Sequence, residues 1–166
     1  MNGGTVDLAT DTSVAAHSVA VSASSNITAN RATSGSGITH TLGTLTLGSS
    51  NLTISAGSNV STNSAYGVTF GATSLTGNAT VDIANQGTAT GTLTLGAVTA
   101  SGNNSITKNG AGALVFSGAN TFTGGVTLAA GTITVDAGAF LAASSAPLTV
   151  TGGSLALNNS SQIASS

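Results

Sequence analysis

Residues 109–125 read NGAGALVFSGANTFTGG. Seven of these seventeen positions are Gly or Asn, and four are large and apolar: Leu114, Val115, Phe116 and Phe122. Gly costs roughly 1 kcal/mol per position inside a helix, and the apolar residues lack helical spacing, so helix is excluded. A solvated linker has no use for four core-type side chains either. What accepts the mixture is a series of short strands joined by tight corners, where Gly and Asn take conformations that other residues resist.

The rest of the chain repeats the pattern. Apolar residues come in alternating pieces with Thr between them, such as L45-T-L47, L52-T-I54, V68-T-F70, L93-T-L95 and I133-T-V135. Period-two alternation of this kind reads as strand. Taking one inward residue per strand gives three columns. The first is Val21, Leu45, Val68, Leu93, Leu114, Ile133 and Leu155, with gaps of 24, 23, 25, 21, 19 and 22. The second is Ile27, Leu52, Leu75, Val98, Phe122, Leu141 and Ile163; the third is Ile38, Val60, Ile83, Ile106, Val126 and Leu148. A period near 22 with three strands per cycle predicts an all-β fold, a parallel β-helix of about seven coils. The coils stack about 4.8 Å apart, giving a rod on the order of 35 Å long. The general crossover preference makes it right-handed. One solenoid domain over residues 1–166 is expected.

Composition agrees with this and excludes other classes. Leu, Ile, Val and Phe together supply 37 of 166 residues, enough for a thin core of small aliphatic stacks. The chain holds two basic residues, Arg31 and Lys108, and four acids, Asp7, Asp11, Asp82 and Asp136. Two cations cannot neutralise a row of phosphates, which excludes a nucleic-acid partner and argues against an anionic membrane surface. No run nears the roughly 18 apolar residues of a membrane helix, so no membrane insertion by this segment is expected. There are no cysteines, hence no disulfide framework or thiolate metal site. The start, MNGGTVDLATD, does not read as a signal peptide.

Residues 106–135, ITKNGAGALVFSGANTFTGGVTLAAGTITV, resemble the passenger-associated transport repeat, also called the autotransporter-associated β-strand repeat. Its pattern is a Gly-spaced L-x-L/F, then S-G-x-N-T-Y/F-x-G-G, then T-x-x-x-x-G-T-L-x-V. Gly110, Gly112, Leu114, Phe116, Gly118, Asn120, Phe122, Gly124, Gly125 and Gly131 sit at its positions, with Phe122 for the commoner Tyr and Ile133 for the commoner Leu. The resemblance implies an exported or cell-surface passenger, extracellular and folded as a β-helix, whose repeat aids export folding and catalyses nothing.

Candidate sites are few. His17 and His40 lie 23 residues apart and could stack near Asp7 or Asp11 as metal ligands, but they read as solvated loop residues. A carbohydrate-active β-helix enzyme needs clustered carboxylates and a base, which four scattered Asp do not supply. Neither catalytic residues nor cofactors are therefore expected. Thr28, Thr53, Thr76, Thr99 and Thr123 each follow a column-two residue, so the columns predict an outward Thr ladder, ending at Ala142 and Ala164. Such a row suits adhesion or ice binding, although β-branched Thr also simply favours exposed strands. No cap of charge or Pro is evident at either end of the chain. The expected partners are further passenger coils or copies of this chain stacked end to end.

Overall fold

The computed structural model describes residues 1–158 and the backbone of 162–164. Every strand pairing between named strands is parallel, and the strands fall into faces that the chain visits in rotation. The seven-stranded first face holds β1 (Thr5–Ala9), β3 (Ser25–Asn30), β6 (Asn51–Ala56), β9 (Ala79–Ile83), β12 (Ile106–Asn109), β14 (Val126–Leu128) and β17 (Leu148–Val150). The six-stranded second face holds β4 (Thr39–Thr41), β7 (Tyr66–Phe70), β10 (Gly91–Leu95), β13 (Ala113–Phe116), β15 (Thr132–Val135) and β18 (Ser154–Leu157). The third holds β2 (Val19–Val21), β5 (Leu45–Leu47), β8 (Thr73–Leu75) and β11 (Val98–Ala100), with β16 (Phe140–Ala142) and β19 (Gln162–Ala164) pairing separately. The chain is a parallel β-solenoid of three strands per coil and about six turns, on the order of 30 Å long.

Alternation decides which side chains enter the core. In β5, β9, β10 and β15, apolar residues at every second position are buried and the Thr or Asp between them is not. On the second face Phe70, Leu95, Phe116 and Val135 stand in register, all buried, and Val68, Leu93, Leu114 and Ile133 form the neighbouring stack. One continuous apolar cluster runs from Leu8 to Ala142. At about 25 cal/mol per Å² of apolar surface removed from water, this stacking is the main stabilising contribution.

The coil length is not uniform. On the first face Ile27, Ile54 and Ile83 are register partners 27 and 29 residues apart, whereas Ile106, Val126 and Leu148 are 20 and 22 apart. Most of the difference lies at one corner, between the first and second faces. The chain spends residues 31–38, 57–65 and 84–90 there in the early coils, but only 110–112, 129–131 and 151–153 later.

These long corners shift the phase of the columns predicted above. From Val68 onward the first column is one stack, but Leu45 pairs with Val19 and Thr73 on the third face, and Val21 is in register with Leu47 there. Ile27 and Leu52 lie on the first face, while Leu75 lies on the third. Ile38 and Val60 sit in the long corner rather than on a face. Counting at a constant period therefore moves the first two coils over by one face. Ile163 and Ala164 have side chains outside the described residues.

Candidate functional site

The outward rows follow the corrected register. Thr28 stands opposite Asp7 and Ser55, Thr53 opposite Asn26 and Asp82, and Thr99 opposite Ser74 on another face. Thr76 and Thr123 fall in turns just beyond β8 and before β14. The five do not form one ladder, because the phase shift separates them. Longer Thr-rich rows exist elsewhere. On the first face Asn51, Thr80, Thr107, Thr127 and Thr149 are successive register partners. On the second face Thr41, Thr69, Thr94, Val115 and Thr134 form a row beside one holding Thr39, Gly67, Thr92, Ala113 and Thr132. Neither second-face row carries a charge.

Residues 106–135 coincide with the change to short coils, and their glycines explain it. Gly131 has φ +72°, and a Cβ there would lie 2.3 Å from the Gly112 carbonyl oxygen of the coil before. Gly110 has φ +74°, and its Cβ would meet the Ile83 carbonyl oxygen at 2.4 Å. A three-residue corner thus needs both a left-handed backbone and bare backbone-to-backbone contact, and only Gly supplies both. Gly112, Gly118, Gly124 and Gly125 likewise lie where an added Cβ would come within 3.0 Å of atoms of a neighbouring coil. Leu114 and Phe116 point into the core, and the Phe116 and Phe122 rings pack with centroids 6.3 Å apart.

Two polar residues of the segment are buried and tie coils together. Asn120 Oδ1 accepts the Val98 N–H at 2.7 Å, and its Nδ2 donates to the Phe140 carbonyl. One amide side chain so joins three successive coils on the third face. Lys108 occupies an inward position between Val81 and Leu128 and is fully buried. Its ammonium donates to the carbonyls of Asn109 (2.6 Å), Gly110 (2.8 Å) and Ala130 (3.3 Å), holding two consecutive tight corners. Burial pushes its pKa down to about 8, with Asp82 opposing the shift. The sequence carried a signal for this, since Lys108 shares strand parity with Ile106.

The remaining titratable groups are not gathered into a site. Arg31 pairs with Asp11 at 3.3 Å, and Thr33 donates its N–H and hydroxyl to Asp11, holding that carboxyl below its ordinary range. Asp7 accepts from Asn30 Nδ2 at 3.0 Å. His17 is exposed, but His40 is not a solvated loop residue. It lies fully buried in β4, in register with Val68, and its Nε2 bonds the Asn30 carbonyl oxygen at 2.8 Å. The two histidines therefore do not occupy one repeating position. The long corners form a layered ledge through their own amides: Asn59 reaches the Arg31 carbonyl, Gln86 the Val60 carbonyl, and Asn63 Oδ1 accepts the Thr88 N–H.

The tight-coil segment with its glycine corners matches, over residues 106–135, the family described as Passenger-associated-transport-repeat. That match covers thirty of the chain's 166 residues. It is also similar, at 37% identity over 124 residues, to a protein of Brucella suis biovar 1 (strain 1330) named Adhesin BmaC autotransporter. That stretch takes in 75% of this chain but only 3% of the relative. No solved structure matches the chain.

Proposed function

We propose that this chain is a non-catalytic segment of an exported, surface-exposed passenger, serving as a rigid stalk that spaces other parts from the cell. The observation that carries the reading is the passenger repeat placed where the solenoid becomes tight, with its polar residues used to bind coil to coil. Asn120 and Lys108 spend their hydrogen bonds on the chain's own carbonyls and amide, so the chemistry of the repeat is directed inward. An enzyme would direct such groups into a cleft.

Surface display tests this. The segment is placed between a membrane anchor and an epitope tag on a Gram-negative cell. Replacing outward Thr92, Thr94, Thr107, Thr127 and Thr134 by Ser should leave epitope display unchanged, while Gly131→Val should reduce it sharply. Equal display of both variants would count against the stalk reading.

A second reading, adhesion through an outward face, has support in the charge-free Thr rows of the second face and in the adhesin name of the relative. Beads coated with the purified chain would then bind host cells or a crystalline surface, and Thr92→Lys with Thr134→Lys would abolish the binding. Ice binding belongs to the same reading and is checked by thermal hysteresis.

A further inference from the structure

Asn followed by Gly occurs twice in the chain, at Asn2–Gly3 and at Asn109–Gly110. Glycine has no Cβ to keep its nitrogen away from the preceding side chain, so such a pair is open to ring closure. The second pair stands between two charges. Asn109 ends β12 with its side chain on the outward parity, and among the described residues no hydrogen bond holds that side-chain amide. The carbonyl of the Asn109–Gly110 peptide accepts the Lys108 ammonium at 2.6 Å, and the Gly110 carbonyl accepts it at 2.8 Å. Asp82 is the register partner of Asn109, and an added Cβ on Gly110 would run into Asp82 Oδ1. A cation thus touches the oxygen of this peptide unit, while a carboxylate abuts the residue that supplies its nitrogen. The other elements packed around the pair, β13, β14 and the corners 84–90 and 129–131, bring no titratable group.

We propose that Asn109 is a site of self-modification, converted to aspartate or isoaspartate by attack of the Gly110 nitrogen, with Lys108 and Asp82 assisting. Asp82 accepts the Gly110 N–H proton. The negative charge that develops spreads onto the Asn109 carbonyl oxygen, where the Lys108 ammonium stabilises it. The nitrogen bonds to Asn109 Cγ, the Cγ–Nδ2 bond breaks, and the proton leaves with Nδ2 as ammonia. Water then opens the succinimide ring at either carbonyl, giving aspartate or a backbone that runs through the side chain. The aspartate product sets a second carboxylate beside Asp82, one coil on, where like charges repel. The isoaspartate product adds a carbon to the backbone just before the three-residue corner 110–112. Either product loosens the tight coil, so the repeat weakens with age. The proposal goes beyond the stalk reading and does not depend on it.

The test incubates the full 166-residue chain near neutral pH, folded and in urea, and follows both Asn–Gly sites by peptide mass spectrometry. In urea the two sites should convert at similar rates. Folding should raise the ratio of Asn109 to Asn2 conversion by roughly tenfold or more, the worth of one hydrogen bond to a charged group. Above about pH 8, where Lys108 loses its proton, Asn109 conversion should stop rising with pH while Asn2 conversion keeps rising. Lys108→Met and Asp82→Asn should each bring the ratio back toward its value in urea. Asp82 lies on the outward parity, so Asp82→Asn leaves the core intact and decides the matter should Lys108→Met not fold. The proposal is overturned by a folded-state ratio no higher than that in urea, by an unchanged ratio in folded Asp82→Asn, or by scission of the 109–110 bond in place of conversion.

Discussion

Raising the pH above neutral should stabilise this protein, an unusual direction that follows from Lys108. Its pKa falls from 10.5 in the unfolded chain to about 8 in the folded one. The folded state therefore binds fewer protons than the unfolded state across that interval, and stability rises as pH increases through it. Below pH 8 the full cost of keeping the ammonium in the core is present; by pH 10.5 most of it is gone. At 1.36 kcal/mol per pKa unit, the gain between pH 7 and pH 10 is roughly 2 to 3 kcal/mol. Tyr66 sets the upper limit. Its hydroxyl donates to the Ala84 carbonyl oxygen at 2.6 Å, and burial pushes its pKa from 10.0 up to about 12. A raised pKa on an acid that ionises to an anion costs stability between those values, so the curve should turn down above pH 10.

Urea unfolding followed by circular dichroism from pH 6 to 11 measures this. The midpoint should climb between pH 8 and 10, and in Lys108→Met the climb should disappear. Lys108→Met also orphans three carbonyls, so its midpoint at any one pH mixes two effects; the slope against pH isolates the charge. A wild-type midpoint that is flat from pH 8 to 10, or a climb that persists in Lys108→Met, would refute the assignment.

Three further outcomes follow from the tight coils, each read from the urea midpoint. Gly138 has φ +80° with nothing within 4 Å of an added Cβ, so Gly138→Ala should cost only about 1 kcal/mol of backbone strain. Gly131→Ala meets a carbonyl oxygen as well and should cost a further 1 to 3 kcal/mol or so; equal costs would show that the corner can open. Asn120→Ala leaves the buried Val98 N–H without its acceptor and should cost about 1 to 3 kcal/mol. Asn120→Asp retains the acceptor for Val98 but loses the donor to Phe140, and should still fall below wild type. Phe116→Ala empties a fully buried site between Leu95 and Val135, with an expected loss of about 3 to 5 kcal/mol. A loss below 1 kcal/mol would mean that the coils collapse to fill it.

Alternation, glycine spacing and the near absence of charge are local properties, and they determined by themselves that this chain forms short strands wound into a solenoid. The same holds for the segment 106–135, because a three-residue corner leaves its mark as glycine at fixed positions. Which strand lies upon which was decided only by the tertiary structure. A corner of seven to nine residues and one of three are equally silent in the inward pattern, so Leu45 and Val68 seemed neighbours until backbone pairing set Leu45 beside Val19 and Thr73. The Thr rows depend on the same register, which is why Thr80, Thr107, Thr127 and Thr149 align where Thr28, Thr53 and Thr99 do not. Lys108 and His40 mark the other boundary. Alternation turns both inward, but only the folded chain shows what meets them: three carbonyls for the Lys108 ammonium, and the Asn30 carbonyl for His40 Nε2.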